Sequence, residues 1–237
     1  MSDLWTMVWK EWKDFLWSGG RYDLFRPLLV IAILGIVLPL SFKQRWIDHD
    51  SATLLIILYV PFMLIISFIG DAIAGEHERH TLETLLASRI SDRAILLGKV
   101  LVAVGFSWGM TVFCLLLGAV VVNLSQGQGQ WVFYAPINLF VILLALSLLT
   151  NLLAASGGVL ISLKSATVRQ AGQTMILGMI ILGLAVYGVA RFLPASVTAS
   201  LTTSQMVLIV MGTLAVLDAI LLAASLVSFQ RSRLILG

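Results

Sequence analysis

The stretch AILLGKVLVAVGFSWGMTVFCLLLGAVVVNL, Ala94 to Leu124, holds a single charge, Lys99. A helix that crosses a bilayer needs about 20 predominantly apolar residues. This run is longer, and tilt or projection beyond the hydrocarbon accommodates the excess. Its apolar residues are continuous and do not alternate, which argues against a membrane β-barrel strand.

Working outward, the rest of the chain has the same character. Of its 237 residues 59 % are hydrophobic and 11 % charged, where a soluble domain carries about 25 % charged residues. Mean hydropathy is +1.02. A disordered chain needs low hydrophobicity, so that class is excluded, and a soluble globule is strongly disfavoured. The net charge is only +3 and no basic cluster stands clear of acids, so nucleic acid is set aside as a partner. The single cysteine, Cys114, excludes an internal disulfide and a multi-cysteine metal site; it reads as a small core residue.

Six apolar stretches are long enough, or nearly so, to span: Pro27–Phe42, Ala52–Gly75, Ala94–Leu124, Phe133–Leu163, Gly172–Pro194 and Gln205–Phe229. The predicted fold is an all-α membrane protein, one domain over residues 1–237, with six transmembrane helices. With the N-terminus inside, the cytoplasmic cations are Lys10, Lys13, Arg21, Arg26, Arg79, Arg89, Arg93, Lys99, Lys164, Arg169, Arg231 and Arg233. Outside are Lys43, Arg45 and Arg191. This asymmetry places both termini in the cytoplasm of a multi-pass protein of the plasma (inner) membrane. The start lacks an uninterrupted apolar core and carries Lys10, Glu11, Lys13 and Asp14, so it does not read as a cleavable signal. The external segments Lys43–Ser51, Ser125–Val132 and Ala195–Ser204 are too short for a water-soluble domain.

Before the first span, Trp5, Val8, Trp9, Trp12 and Leu16 fall on one face of a helix over residues 3–17. Indole favours the headgroup level. Trp5, Trp9 and Trp12 therefore read as anchors of an amphipathic helix lying in the membrane interface. Packing against neighbouring helices is the other account.

Between spans two and three runs GEHERHTLETLLASRISDR, Gly75 to Arg93. Thr81 suits a helix N-cap, with Glu83 in the first turn where the dipole favours an anion. Leu82, Leu85 and Leu86 form an apolar stripe, and Ser91 suits the N-cap of the next span. The pattern predicts a short amphipathic helix with flanking charges, fit to dock into a groove on a partner. A solvated loop whose leucines rest on lipid is the competing account.

This loop resembles that of the ABC-2 type permeases, the membrane subunits of one class of ATP-binding-cassette exporters. The matching residues are Glu76, Glu78, Arg79, Thr81, Leu82, Glu83, Leu85, Leu86, Ser91, Gly98 and Lys99, while His80 and Arg89 stand where the family often has Gly and Pro. The stretch Gly158–Ala171 looks like the family's second cytoplasmic loop, with Lys164 and Arg169 in it. The resemblance implies a short cytoplasmic coupling helix after span two. It implies a homodimer or heterodimer with a second permease subunit, and two ATPase subunits bound below, docked on Glu76–Ile90 and more lightly on Lys164–Gln170. ATP and magnesium would belong to those partners and no cofactor to this chain. Consistent with that, Gly98-Lys99 is followed by Val100 and lacks the Gly-rich loop of a phosphate cradle.

Four charges lie within the spans: Asp71, Lys99, Arg191 and Asp218. Arg191 is near the external end and can snorkel. Asp71 and Lys99 fall at similar depth on successive spans, so they form a pair or reach the headgroups separately. Asp218 is mid-span, where a carboxylate is costly. It reads as a proton, cation or substrate site, or as a protonated acid bonded to Asn138, Thr150 or Asn151. Asn138 and Asn151 also make the fourth span polar, as a substrate path or as helix glue. An ion-coupled carrier or channel using Asp218 is the alternative function.

Enzyme readings fail on spacing. His77 and His80 stand three apart, where the zinc motif needs four with Glu beside the first, so no metal site is assigned. Ser156 lacks a histidine at suitable depth. No catalytic residue is assigned.

Overall fold

The computed structural model describes residues 2–17, 28–47, 63–66, 68–70, 74–78, 90–126, 131–134, 136–192 and 203–229. Every regular element among them is helical. In chain order these are α1 (Ser2–Trp17), α2 (Leu28–Phe42), α3 (Gln44–Ile47), α4 (Glu76–Glu78), α5 (Asp92–Gln126), α6 (Ile137–Leu163), α7 (Val168–Phe192) and α8 (Thr203–Ser228). Residues 63–66 and 68–70 are also helical. Among the described residues three stretches are long and apolar enough to cross a bilayer: Asp92–Ser125, Ile137–Leu163 and Gln205–Ser228. Asp71, Arg79, Thr81, Leu82, Glu83, Leu85 and Leu86 lie outside the described residues, as does the side chain of Arg191.

The ends of these helices follow from local chemistry. Ser91 Oγ accepts the Ala94 amide at 3.4 Å, the N-cap bond expected of it, and Asp92 sits in the first turn of α5. The fourth span is predicted from Phe133, but α6 begins at Ile137. Pro136 causes the difference: its carbonyl takes the amides of Leu139 and Phe140, opening the helix there. In α2, Ile31–Val37 is widened to π-helical turns, with the Leu38 amide reaching back five residues to Ile33. The widening precedes Pro39, whose ring crowds the carbonyl four residues back in a regular helix.

The chain divides into two compact units. One comprises Met1–Ile65 with Leu97–Asn151, the other Ile66–Leu96 with Leu152–Gly237.

In the first unit, α2, α3 and α5 meet closely. A Cβ on Gly35 would lie 2.8 Å from Leu117 Cδ2, and one on Gly118 would lie 2.6 Å from Trp46 Nε1 and 2.9 Å from Pro39 Cγ. Trp46 is fully buried in a cluster with Ile47, Leu115, Ala119, Val122, Tyr134, Phe140 and Leu143. Its indole donates to Tyr134 Oη at 2.8 Å, and that hydroxyl donates to the Leu115 carbonyl at 2.9 Å. The Tyr134 ring stacks on Phe140 with centroids 4.6 Å apart. Asn123 closes the connection to α6 by bonding both backbone groups of Val132, at 2.7 and 2.8 Å. Polar groups also join α5 to α6. Ser107 Oγ donates to Asn151 Oδ1 at 3.0 Å and Asn151 Nδ2 to the Val104 carbonyl at 3.3 Å, all buried. The Trp108 indole reaches Leu144 O and Ser147 Oγ, both at 3.2 Å. By contrast, a Cβ on Gly105 or Gly109, the Gly-x-x-x-Gly pair, would meet nothing within 4 Å, so among the described residues the motif packs no helix.

In the second unit, α6 meets α8, where Ser225 Oγ donates to the Ser156 carbonyl at 2.9 Å. A Cβ on Gly158 would lie 2.9 Å from Ile69 Cγ2 and 3.2 Å from Met175 Cε, so its hydrogen lets α7 and the end of span two close on α6.

Candidate functional site

The candidate coupling surface is built, in the second unit, from the end of span two, the connection between α6 and α7, and the start of α5. Ser162 Oγ accepts the Ala74 amide at 3.0 Å and donates to the Gly70 carbonyl at 3.4 Å. One hydroxyl thus fastens the last turns before α4 to α6.

After α6 the chain tightens, with Lys164 and Ser165 amides bonding to Ile161 and Ser162 carbonyls three residues back. Then α7 opens on a capping arrangement. Thr167 Oγ1 accepts the Gln170 amide at 3.2 Å, and Gln170 Oε1 reaches back to the Ala166 amide at 3.1 Å. Glu78 supplies a further bond: its Oε2 accepts the Val168 amide at 3.1 Å. An N-terminal amide has no partner within its own helix, and an anion there is favoured by the dipole. The end of span two is therefore tied by a side chain to the start of α7.

Of the residues expected to couple, Glu78 meets the second loop, and Glu76 is half-buried beside the buried pair Ala74 and Gly75. Lys164 and Arg169 are exposed on that second loop. The short helix expected over Thr81–Leu86 lies outside the described residues.

The buried polar residues sort differently from expectation. Asp71, the partner expected for Lys99, lies outside the described residues; the Lys99 ammonium bonds Glu11 Oε1 at 3.0 Å, with the Lys99 side chain 2 % and the Glu11 side chain 15 % exposed. The reason is that α1 docks on α5, bringing in an acid remote in sequence. Asn151 is satisfied within its own unit by Ser107 and Val104, and Asn138 is exposed. Thr150 bonds its own helix at the Ser147 carbonyl. Asp218 is 3 % exposed, and neither carboxylate oxygen has a hydrogen-bond partner among the described residues. No group of three metal-ligating side chains occurs among the described residues.

On α1, Trp5, Trp9 and Trp12 are exposed, the first two at 70 % and 55 %. Met7 is fully buried, and Leu4, Val8 and Glu11 are half-buried. The helical wheel groups Val8 with the tryptophans; the docked stripe is instead Leu4, Met7, Val8 and Glu11, one arc further round.

Reasoning from sequence missed Glu11, Met7 and Ser162. It also passed over Thr167-x-x-Gln170, a legible capping signature.

The apolar helices, their buried polar cross-links and the exposed indoles define a helical membrane protein. The family model for ABC-2 type transporters matches residues 2–189, and the chain belongs to that family. No match was found among curated proteins. The family is one of transport permeases and not a catalytic one, so the protein is a permease of ABC-type transport.

Proposed function

We propose that this chain is the membrane subunit of an exporter driven by ATP hydrolysis in a separate subunit. Six spans cross the plasma (inner) membrane with both termini in the cytoplasm, and α1 lies in the cytoplasmic interface. Two such subunits pair, and two ATPase subunits bind beneath them, holding the ATP and magnesium. The observation that carries the reading is the family match over residues 2–189, with the tie between Glu78 and Val168 joining the two loops on which an ATPase would dock. A short coupling helix over Thr81–Leu86 takes the ATPase groove, with Glu76, Glu78 and Arg79 leading into it and Lys164 and Arg169 alongside. Glu78 acts from within, as the cap of α7, so its part is to hold the docking surface together.

The test is purification of the chain to identify an ATPase that co-purifies with it, followed by Glu83→Lys and by Leu85→Asp with Leu86→Asp. Both variants should insert yet lose the ATPase or uncouple hydrolysis from transport. Normal association and coupling in both would overturn the proposal. The ion-coupled alternative predicts transport without any ATPase, and family membership does not favour it.

A further inference from the structure

Helix α1 presents three arcs at 100° per residue. Leu4, Met7, Val8 and Glu11 face the protein; Trp5, Trp9 and Trp12 form a second arc about 100° round; Thr6, Lys10 and Lys13 form a third, exposed and polar. An interfacial helix needs this order, with protein, lipid and water on successive sides. Apolar contact alone does not fix it. Leu4, Met7 and Val8 of the first arc are no more apolar than the indoles, so by apolar contact alone α1 could roll to bury its indoles.

Two attachments on one turn of α5 oppose that roll. Gly98 lets Met7 approach so closely that a Cβ would lie 2.7 Å from Met7 Cγ. The next residue, Lys99, holds Glu11 at 3.0 Å. Rolling α1 by one arc would carry Glu11 away and break a largely buried charge-assisted bond, which opposes the roll. Further along, Trp12 meets Phe106 edge-on at 6.4 Å.

We infer that Lys99 and Glu11 are positioning residues whose buried ion pair sets the rotation of α1 about its own axis, turning Trp5, Trp9 and Trp12 to lipid and Thr6, Lys10 and Lys13 to water. This rests on the interfacial placement of α1 proposed above. It does not depend on which ATPase drives transport.

Single cysteines at Thr6→Cys and Trp5→Cys, in a Cys114→Ala background, report the rotation by their rate of labelling with a charged maleimide. Open membrane fragments expose both faces to the reagent. With the pair intact, position 6 should label at least tenfold faster than position 5. Lys99→Ala or Glu11→Ala should bring the ratio below about threefold, and the exchanged pair Glu11→Lys with Lys99→Glu should restore it. Glu11→Gln removes the charge and keeps the shape, and covers the case of an alanine variant that fails to insert. A contrast that survives both Glu11→Gln and the alanine variants, or that the exchanged pair does not restore, overturns the positioning role alone. A ratio near one with the pair intact removes the interfacial placement and the inference with it.

Discussion

Glu78→Ala removes the side chain that ties the end of span two to the start of α7. The lost bond is 3.1 Å long and runs from a backbone amide to a carboxylate. Such a charge-assisted bond contributes about 1.5–3 kcal/mol when shielded, and an anion at a helix N-terminus adds about 0.3–1 kcal/mol. Glu78 is exposed, and solvent and salt reduce the sum to about 1 kcal/mol. That corresponds to roughly a fivefold rise in opening of the first turn of α7. The rise stays local because Thr167 and Gln170 still cap the same turn. Amide hydrogen exchange on the protein in lipid nanodiscs measures it. Peptides covering Lys164–Ala171 should exchange about fivefold faster in Glu78→Ala, and peptides from the middle of α6 should not change. Glu78→Gln keeps an acceptor without its charge and should fall between. Unchanged exchange at Val168 would refute the tie, and faster exchange throughout α7 would refute the argument that the loss is local.

Three further outcomes follow from the packing. Tyr134→Phe leaves the Trp46 indole N–H without the acceptor it has at 2.8 Å; at about 2 kcal/mol the thermal midpoint should fall by roughly 4–8 °C, and a smaller fall would mean the indole finds another acceptor. Gly118→Ala drives a methyl into Trp46 and Pro39 and should cost about 1–3 kcal/mol, whereas Gly105→Ala meets nothing within 4 Å and should be neutral or stabilising; equal effects in thermal unfolding would contradict the close approach at Gly118. Asp218→Asn removes a charge with no hydrogen-bond partner among the described residues, so the thermal midpoint should hold or rise; a fall of more than about 4 °C would show that the carboxylate is bonded in the assembled protein.

What the sequence disclosed was local. Ser91 caps α5 because its hydroxyl needs only an amide three residues away. Pro136 is a local start signal for α6, since a proline favours the first turn and not the interior, but the apolar run alone places the fourth span from Phe133. The rotation of α1 is not legible. Leu4, Met7 and Val8 are as apolar as the tryptophan arc, and a hydropathy wheel does not distinguish a protein neighbour from lipid. Nor is the pairing of Lys99 with Glu11. Equal depth points to Asp71, which lies outside the described residues, whereas Glu11 reaches Lys99 from 88 residues away. Glu78 reads as a residue for an ATPase because it stands in the family's loop. Its bond to Val168 spans 90 residues and depends on where α6 ends.

The two polar ties lie in different compact units. The compact units divide α5 between Leu96 and Leu97, so a single helix begins in the unit that holds the proposed coupling loop and continues in the other. Gly98 and Lys99, where α1 attaches, are the second and third residues past that division. The Glu78 bond and the Ser162 hydroxyl fix the segment that leads into the loop, and the Lys99 ion pair fixes α1 to α5. Breaking that pair should alter the orientation of α1 without loosening the first turn of α7, and breaking the Glu78 bond should do the reverse.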